Sequence, residues 1–151
     1  MPVNAVYKEL ATKMGAGQSD RFIRILEASF TPDEAAICRE LFEPATAKEI
    51  SARLKMDEKK VVKALDRLVA SGALTRGPTQ FAFHKTVLAY HHDSVADTAP
   101  QTGPNAVSEE IKDLWKDYFF NEWSYEFLAH TEQMIKMTGK NLPISPAIES
   151  L

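Results

Sequence analysis

Residues 46–85 read TAKEISARLKMDEKKVVKALDRLVASGALTRGPTQFAFHK, and this stretch decides the fold of the chain. Thr46 and Glu49 match a capping box, which predicts the start of a short helix with a tight turn after it. Asp57 is suited to cap a second, longer helix, in which apolar residues recur at spacings of three and four. The first half of the stretch therefore predicts two helices in close succession.

The second half of the stretch predicts a β-hairpin. Gly72 is the expected left-handed terminator of the longer helix. Two short apolar segments, 73–75 and 81–83, are strand candidates, and Gly77-Pro78 is suited to the turn between them. We therefore predict a mainly α fold, in which a winged helix-turn-helix with a small β-hairpin wing is flanked by N- and C-terminal helices.

Positive charge is concentrated in the same stretch. Residues 46–85 hold nine Lys or Arg against four Asp or Glu, a net charge of +5. The rest of the chain holds nine basic against 17 acidic residues, a net charge of −8, so that the whole chain carries −3. A basic patch on such a fold is the electrostatic footprint of a nucleic-acid-binding protein.

The longer helix, residues 58–71, is the predicted recognition helix. Four of its apolar residues are expected to face the core: Val61, Val62, Leu65 and Leu68. The cations left outside, together with one arginine of the hairpin, are the predicted DNA-binding residues: Lys59, Lys60, Lys63, Arg67 and Arg76. Lysine attracts phosphate as a point charge, and only Arg67 on this helix is suited to a bidentate guanine contact. A solvated or protein-facing lysine surface, with an ordinary exposed arginine in the hairpin, is the alternative.

Helices are predicted on both sides of this module. Residues 3–14 and 20–29 have helical apolar spacing, and a further helix begins at the capping box of Thr31 and Glu34 and ends near Pro44. Residues 86–97 fit a strand or a helix. The expected organisation is a helical N-terminus with the winged helix over 1–97, a linker over 98–107, an aromatic amphipathic helix over 108–139 and an irregular tail over 140–151.

The predicted helix 108–139 carries an unusually aromatic set of residues. Four of them recur at intervals of four and are the candidate interface residues: Trp115, Phe119, Trp123 and Phe127. They either pack on the N-terminal helices of the same chain or anchor a contact with another chain. The contact with another chain is favoured, in a homodimer or a larger assembly. Dimers that form through flanking helices place two winged helices on the two halves of a DNA site.

The sequence excludes several classes of protein. Its 44% hydrophobic and 26% charged residues are typical of an ordinary soluble globular protein, with no run long enough to cross a bilayer. The N-terminal segment lacks the apolar core of a secretory signal, so we expect a cytoplasmic protein. No phosphate loop, nucleophile elbow or zinc-protease motif is present, which predicts no catalytic residues and no enzyme activity.

Metal and cofactor binding are not predicted either. Cys38 is the one cysteine, which excludes an internal disulfide and a cysteine-rich centre, and its apolar setting predicts a buried small residue. The potential metal ligands cluster at His84, His91, His92, Asp93 and Asp97. Their spacing does not match a metal-ligand pair, so polar surface histidines are favoured over a ligand- or metal-responsive sensor that uses residues 84–97.

Four segments carry a resemblance to a known group of proteins. They are YKEL at 7–10, FTPDEAA at 30–36, DLWKDYFFNEW at 113–123 and PAIESL at 146–151. They resemble the N-terminal region of bacterial 4Fe-4S ferredoxin-type proteins from anaerobes, in which a winged-helix-like region precedes cysteine-rich cluster motifs. The cluster-binding cysteines are absent here, so no ligand role passes to any residue of this chain.

Two functions follow as expectations. Residues 46–85 also resemble the winged-helix domains of small bacterial transcriptional repressors, and the leading expectation is a dimeric, nucleic-acid-binding regulator module that binds double-stranded DNA. The ferredoxin-type resemblance implies the alternative, a protein-interaction module of an anaerobic iron–sulfur redox protein or assembly that does not bind DNA.

Overall fold

The computed structural model describes residues 3–96 and 99–138, which form helices and one small antiparallel sheet. The helices are α1 (Val3–Lys13), α2 (Asp20–Ser29), α3 (Pro32–Arg39), α4 (Ala47–Leu54), α5 (Glu58–Ala70), α6 (Val87–Ser94), α7 (Glu109–Tyr118) and α8 (Ser124–Thr138). The strands are β1 (Leu74–Arg76) and β2 (Phe81–Phe83). The predicted class is confirmed to this extent: the chain is mainly helical, with a two-stranded antiparallel sheet.

The chain divides into two compact units, Met1–Trp115 and Lys116–Leu151. The segment 98–107, predicted to be a linker, belongs to the first unit, and the described part of it makes local contacts. Ala99 is buried, and the side-chain amide of Gln101 donates to the backbone oxygens of Ala96 and Ala99 at 3.2 and 3.0 Å. The predicted tail, 140–151, lies outside the described residues.

Both predicted capping boxes are present. The Glu34 carboxylate accepts the Thr31 amide at 2.9 Å, and the Glu49 carboxylate accepts the Thr46 amide at 2.8 Å. The hydrogen bond from the Thr46 backbone lowers the pKa of Glu49. These local bonds fix where α3 and α4 begin.

The third helix ends earlier than the sequence predicts, at Arg39 instead of near Pro44. The residues after it pair with strand β2 instead of continuing the helix. The Phe83 amide donates to the Leu41 oxygen at 2.7 Å, and Ala45 forms an isolated antiparallel bridge with Phe81. Strand β2 thus pairs with β1 on one side, where Leu74 lies opposite Phe83, and with Ala45 on the other.

Helix α5 contributes one apolar stripe to the core of the first unit. Val61, Leu65 and Leu68 are completely buried. Val62, predicted to face inward, is 42% exposed, so that part of the prediction is wrong. Successive residues of a helix lie about 100° apart, so the stripe that buries Val61 turns Val62 outward.

The ambiguous segment after the hairpin is helical, and α6 completes an aromatic core. The Thr86 hydroxyl caps this helix by accepting the Ala89 amide at 3.2 Å. Tyr90 is 2% exposed, with its ring 5.9 Å from that of Phe30 and 5.6 Å from that of Phe83.

Trp115 belongs to the same core, which corrects its assignment as a candidate interface residue and agrees with the alternative, packing on the N-terminal helices of the same chain. It is 2% exposed. Its ring centroid lies 5.9 Å from Phe22, 5.8 Å from Tyr90 and 4.8 Å from His91, and these three rings cover it within the first unit.

The second unit begins in α7, and its helical course differs from the single helix predicted over 108–139. A π-helical segment, Phe119–Trp123, joins α7 to α8, and the Ser124 amide donates to the Phe119 oxygen. Trp123 stacks on Phe127 with ring centroids 5.1 Å apart and meets Phe119 edge to face at 5.4 Å. These three predicted interface residues are half-buried.

None of the helices that lie within residues 3–96 and 99–138 combines the length and the apolar character that a bilayer span requires.

Gly72 holds a close approach between the end of α5 and the end of α6. Its φ is +83°, and a methyl group there would lie 2.0 Å from the backbone oxygen of Asp93. Gly15 has a similar φ of +84° but open space around it.

We predict that Gly15→Ala lowers the free energy of unfolding by about 1–2 kcal/mol, through backbone strain alone. Gly72→Ala should lose about 1–3 kcal/mol more, through the clash.

Urea denaturation of the two variants checks this prediction, with Gly15→Ala as the matched control for backbone strain. Equal losses would show that the approach to Asp93 relaxes without cost.

Candidate nucleic-acid interface

Helix α5 presents a basic surface at its N-terminal half. The helix packs on α3, α4 and β1, which cover its buried stripe. Lys59, Lys60 and Lys63 are all exposed, and we call them the lysine face. Among the described residues, none of the three amino groups has a carboxylate partner. The charge of the lysine face is therefore available to an anionic ligand such as a nucleic-acid backbone.

Val62 lies within the lysine face, although its apolar side chain is predicted from the sequence to face the core. Its side chain is 42% exposed, between Lys59 one turn before it and Lys63 directly after it. An exposed apolar side chain on a helix in the major groove is suited to contact the methyl group of thymine. The signal was present in the sequence, because Val61, Leu65 and Leu68 already complete a buried stripe.

Arg67, predicted to contact DNA, forms an ion pair within the chain. Its Nε and Nη2 both donate to the Glu34 carboxylate on α3. The side chain of Glu34 is 11% exposed and that of Arg67 is 45% exposed, so water reaches the arginine but hardly the carboxylate. Because a buried carboxylate needs its cation, Arg67 joins α5 to α3.

Arg76, the predicted wing contact, is also paired, although on the surface. Its Nη2 donates to Asp66 of α5, and the guanidinium lies 5.2 Å from the centroid of the Phe81 ring. The side chains of Arg76 and Asp66 are 49% and 58% exposed. An exposed ion pair contributes little stability, so exchanging Asp66 for a phosphate costs little.

Cys38 is a core residue, as predicted. It is completely buried, and burial together with the nearby carboxylate of Glu34 raises the pKa of its thiol. The thiol is therefore protonated at neutral pH and lacks the reactivity of a thiolate.

The candidate metal ligands occupy different environments. His84 is 8% exposed, with its Nε2 3.2 Å from the backbone oxygen of Gly72, so the prediction of a surface histidine is wrong there. His92 is exposed, and burial beside Trp115 lowers the pKa of His91. No three potential ligands converge within the part of the chain that the structure describes, and Asp97 lies outside that part.

No family model, curated protein or solved structure matches this chain. The functional assignment therefore depends on the lysine face and the elements that hold it.

Proposed function

We propose that residues 31–85 form a winged helix-turn-helix that binds double-stranded DNA. The order of elements supports this architecture: α3, the bridging residue Ala45, helices α4 and α5, and the β1–β2 hairpin. In such a module the second helix of the helix-turn-helix enters the major groove and the hairpin lies beside it. Here those elements are α5 and the β1–β2 hairpin.

The observation that carries the proposal is the lysine face of α5, whose amino groups have no carboxylate partner among the described residues. Lys59, Lys60 and Lys63 contact phosphates, while Val62 between them meets the base edges. Arg76 of the hairpin adds a contact with the DNA phosphate backbone after its ion pair with Asp66 is broken. Arg67 stays with Glu34 and has no part in DNA binding.

This surface binds DNA mainly through charge. Lysine is a point charge, and phosphate contacts position a protein without reading the sequence. The exposed face of α5 offers no Asn or Gln to an adenine edge. We therefore propose a module that binds double-stranded DNA with little selectivity for the base sequence.

The test is the salt dependence of binding to a fluorescently labelled duplex, followed by anisotropy. Each phosphate contact contributes about −0.9 to the slope of log K against log salt concentration. Three lysines therefore predict a slope of about −3 per protomer, and the exchange of Arg76 adds about −1. A slope near zero, or no binding at low salt, would contradict the proposal.

A second candidate function is a protein-interaction module, either as a homodimer or with another partner. Its support is a set of exposed apolar residues in the second unit: Phe120, Tyr125, Leu128 and Met137, which are 59%, 68%, 51% and 77% exposed. Aromatic residues and methionine are enriched in protein interfaces. The ferredoxin-type resemblance suits this function within an iron–sulfur assembly, and absence of duplex binding near physiological salt would favour it.

A further inference from the structure

A cavity of about 240 Å³ opens beside the C-terminal half of α5. Arg67 of α5 and its C-cap residue Ser71 form one wall, and Tyr90 and Ser94 of α6 form another. The segment before α7 forms the third wall through Val107. All of these residues belong to the first unit. None of the three lysines of the lysine face lines the cavity, although Arg67 follows Lys63 by one turn of α5.

Among the described residues that line the cavity, Arg67 is the one that carries a charge. A guanidinium has five N–H donors. Glu34 uses one on Nε and one on Nη2, which leaves both donors of Nη1 and the second donor of Nη2. A carboxylate fits these remaining donors, since two of them can bind its two oxygens.

The other walls combine hydroxyl oxygens with apolar surface. Ser29 donates to the backbone oxygen of Ile25 at 2.7 Å and Ser94 to the backbone oxygen of Tyr90 at 2.5 Å, so both hydroxyl protons are used within the chain and the donors left for an anion are those of Arg67. Phe30, Val107 and Ile111 supply apolar lining. A mostly apolar cavity with a few convergent polar groups is typical of sites for small organic molecules.

We propose that this cavity binds a small organic anion, a carboxylate on a compact apolar body, with the carboxylate on the Arg67 guanidinium. The volume lies below the range of about 300–1,000 Å³ that holds drug-sized ligands, so the ligand is the size of a small metabolite. The site does not depend on the proposed DNA binding, and its test contains no DNA.

The test uses benzoate and benzamide, which share a ring and differ in charge. Each is titrated into the ¹⁵N-labelled full chain while the backbone amide resonances are followed. Benzoate should shift the resonances of Ser71 and Val107 with a millimolar dissociation constant. Benzamide should bind about tenfold more weakly, because it loses the charge-assisted hydrogen bonds. Equal binding of the two probes, or shifts confined to other residues, would overturn the proposal.

Two pairs of changes locate the site. Val107→Trp fills the cavity, whereas Thr102→Trp adds the same side chain to the same segment at an exposed position outside the lining. Benzoate affinity should fall about tenfold or more in the first variant and stay unchanged in the second. Affinity unchanged by Val107→Trp, or lost equally in both, would overturn the proposal.

The double variant Glu34→Gln with Arg67→Met tests the anion contact itself, since it removes both charges of the ion pair together. Benzoate should then bind no better than benzamide, and a retained preference for benzoate would overturn the assignment to Arg67. If the double variant does not fold, the comparison of Val107→Trp with Thr102→Trp decides whether benzoate binds in the cavity.

Discussion

Replacing Lys59 and Lys63 together by Glu is expected to abolish duplex binding, with a loss of affinity of at least about a hundredfold at 0.1 M salt. The change removes two cations from the lysine face and places two anions against the phosphates. Both side chains are exposed, so the fold should be unaffected. Anisotropy with a labelled duplex measures the loss, and circular dichroism verifies that the variant is folded.

The matched control is the pair Lys8→Glu and Arg24→Glu, on α1 and α2. Both residues are exposed, and the variant undergoes the same change in net charge. The affinity of this control variant for the duplex should fall far less, because its changes lie on helices other than α5. At this salt concentration, ions screen the interaction between charges that are more than about 10 Å apart. Equal losses of affinity in the two variants would show that net charge is the cause. Wild-type affinity in the variant with Glu at positions 59 and 63 would show that α5 does not contact DNA.

The second large effect is expected at Trp115. Trp115→Ala should lower the free energy of unfolding by about 3–5 kcal/mol, as is usual when a buried tryptophan is truncated. The ring is 2% exposed and contacts Phe22, Tyr90 and His91, so its removal leaves a cavity in the core of the first unit. Urea denaturation followed by far-ultraviolet circular dichroism measures the change.

Trp123→Ala is the control for this prediction, because Trp123 is half-buried in the second unit. It removes the same side chain and should cost about 1 kcal/mol or less, which is usual away from a core. A small loss in Trp115→Ala, accompanied by weaker self-association, would return Trp115 to an interface role.

The features that the sequence predicted well are those determined by neighbouring residues. A capping box joins residues three apart, so Thr46 and Glu49 specify the start of α4 without reference to the rest of the fold. Gly72 likewise ends α5 through its own backbone conformation, with φ at +83°. Local rules of this kind place the starts of α3 and α4 and the end of α5 to within one residue, whereas the end of α3, which depends on pairing with β2, lies five residues before the predicted position.

The features that the sequence missed depend on residues far apart in the chain. Glu34 was recognised as a cap of α3, but its pairing with Arg67 joins positions 33 residues apart. The bridge from Ala45 to Phe81 and the burial of Trp115 against Phe22 have the same origin. Such contacts follow from how the elements pack, and helical spacing alone does not distinguish a core tryptophan from an interface tryptophan.

Glu34 has a consequence for redesign of this protein. One of its oxygens accepts both the Thr31 amide and the Arg67 guanidinium, so a single carboxylate fixes the start of α3 and the rotation of α5 about its axis. Positions 34 and 67 can therefore be changed only as a pair. Positions 59, 60, 62 and 63 project from a helix whose orientation is set elsewhere, which makes them suitable for randomised libraries that seek new binding preferences on an unchanged scaffold.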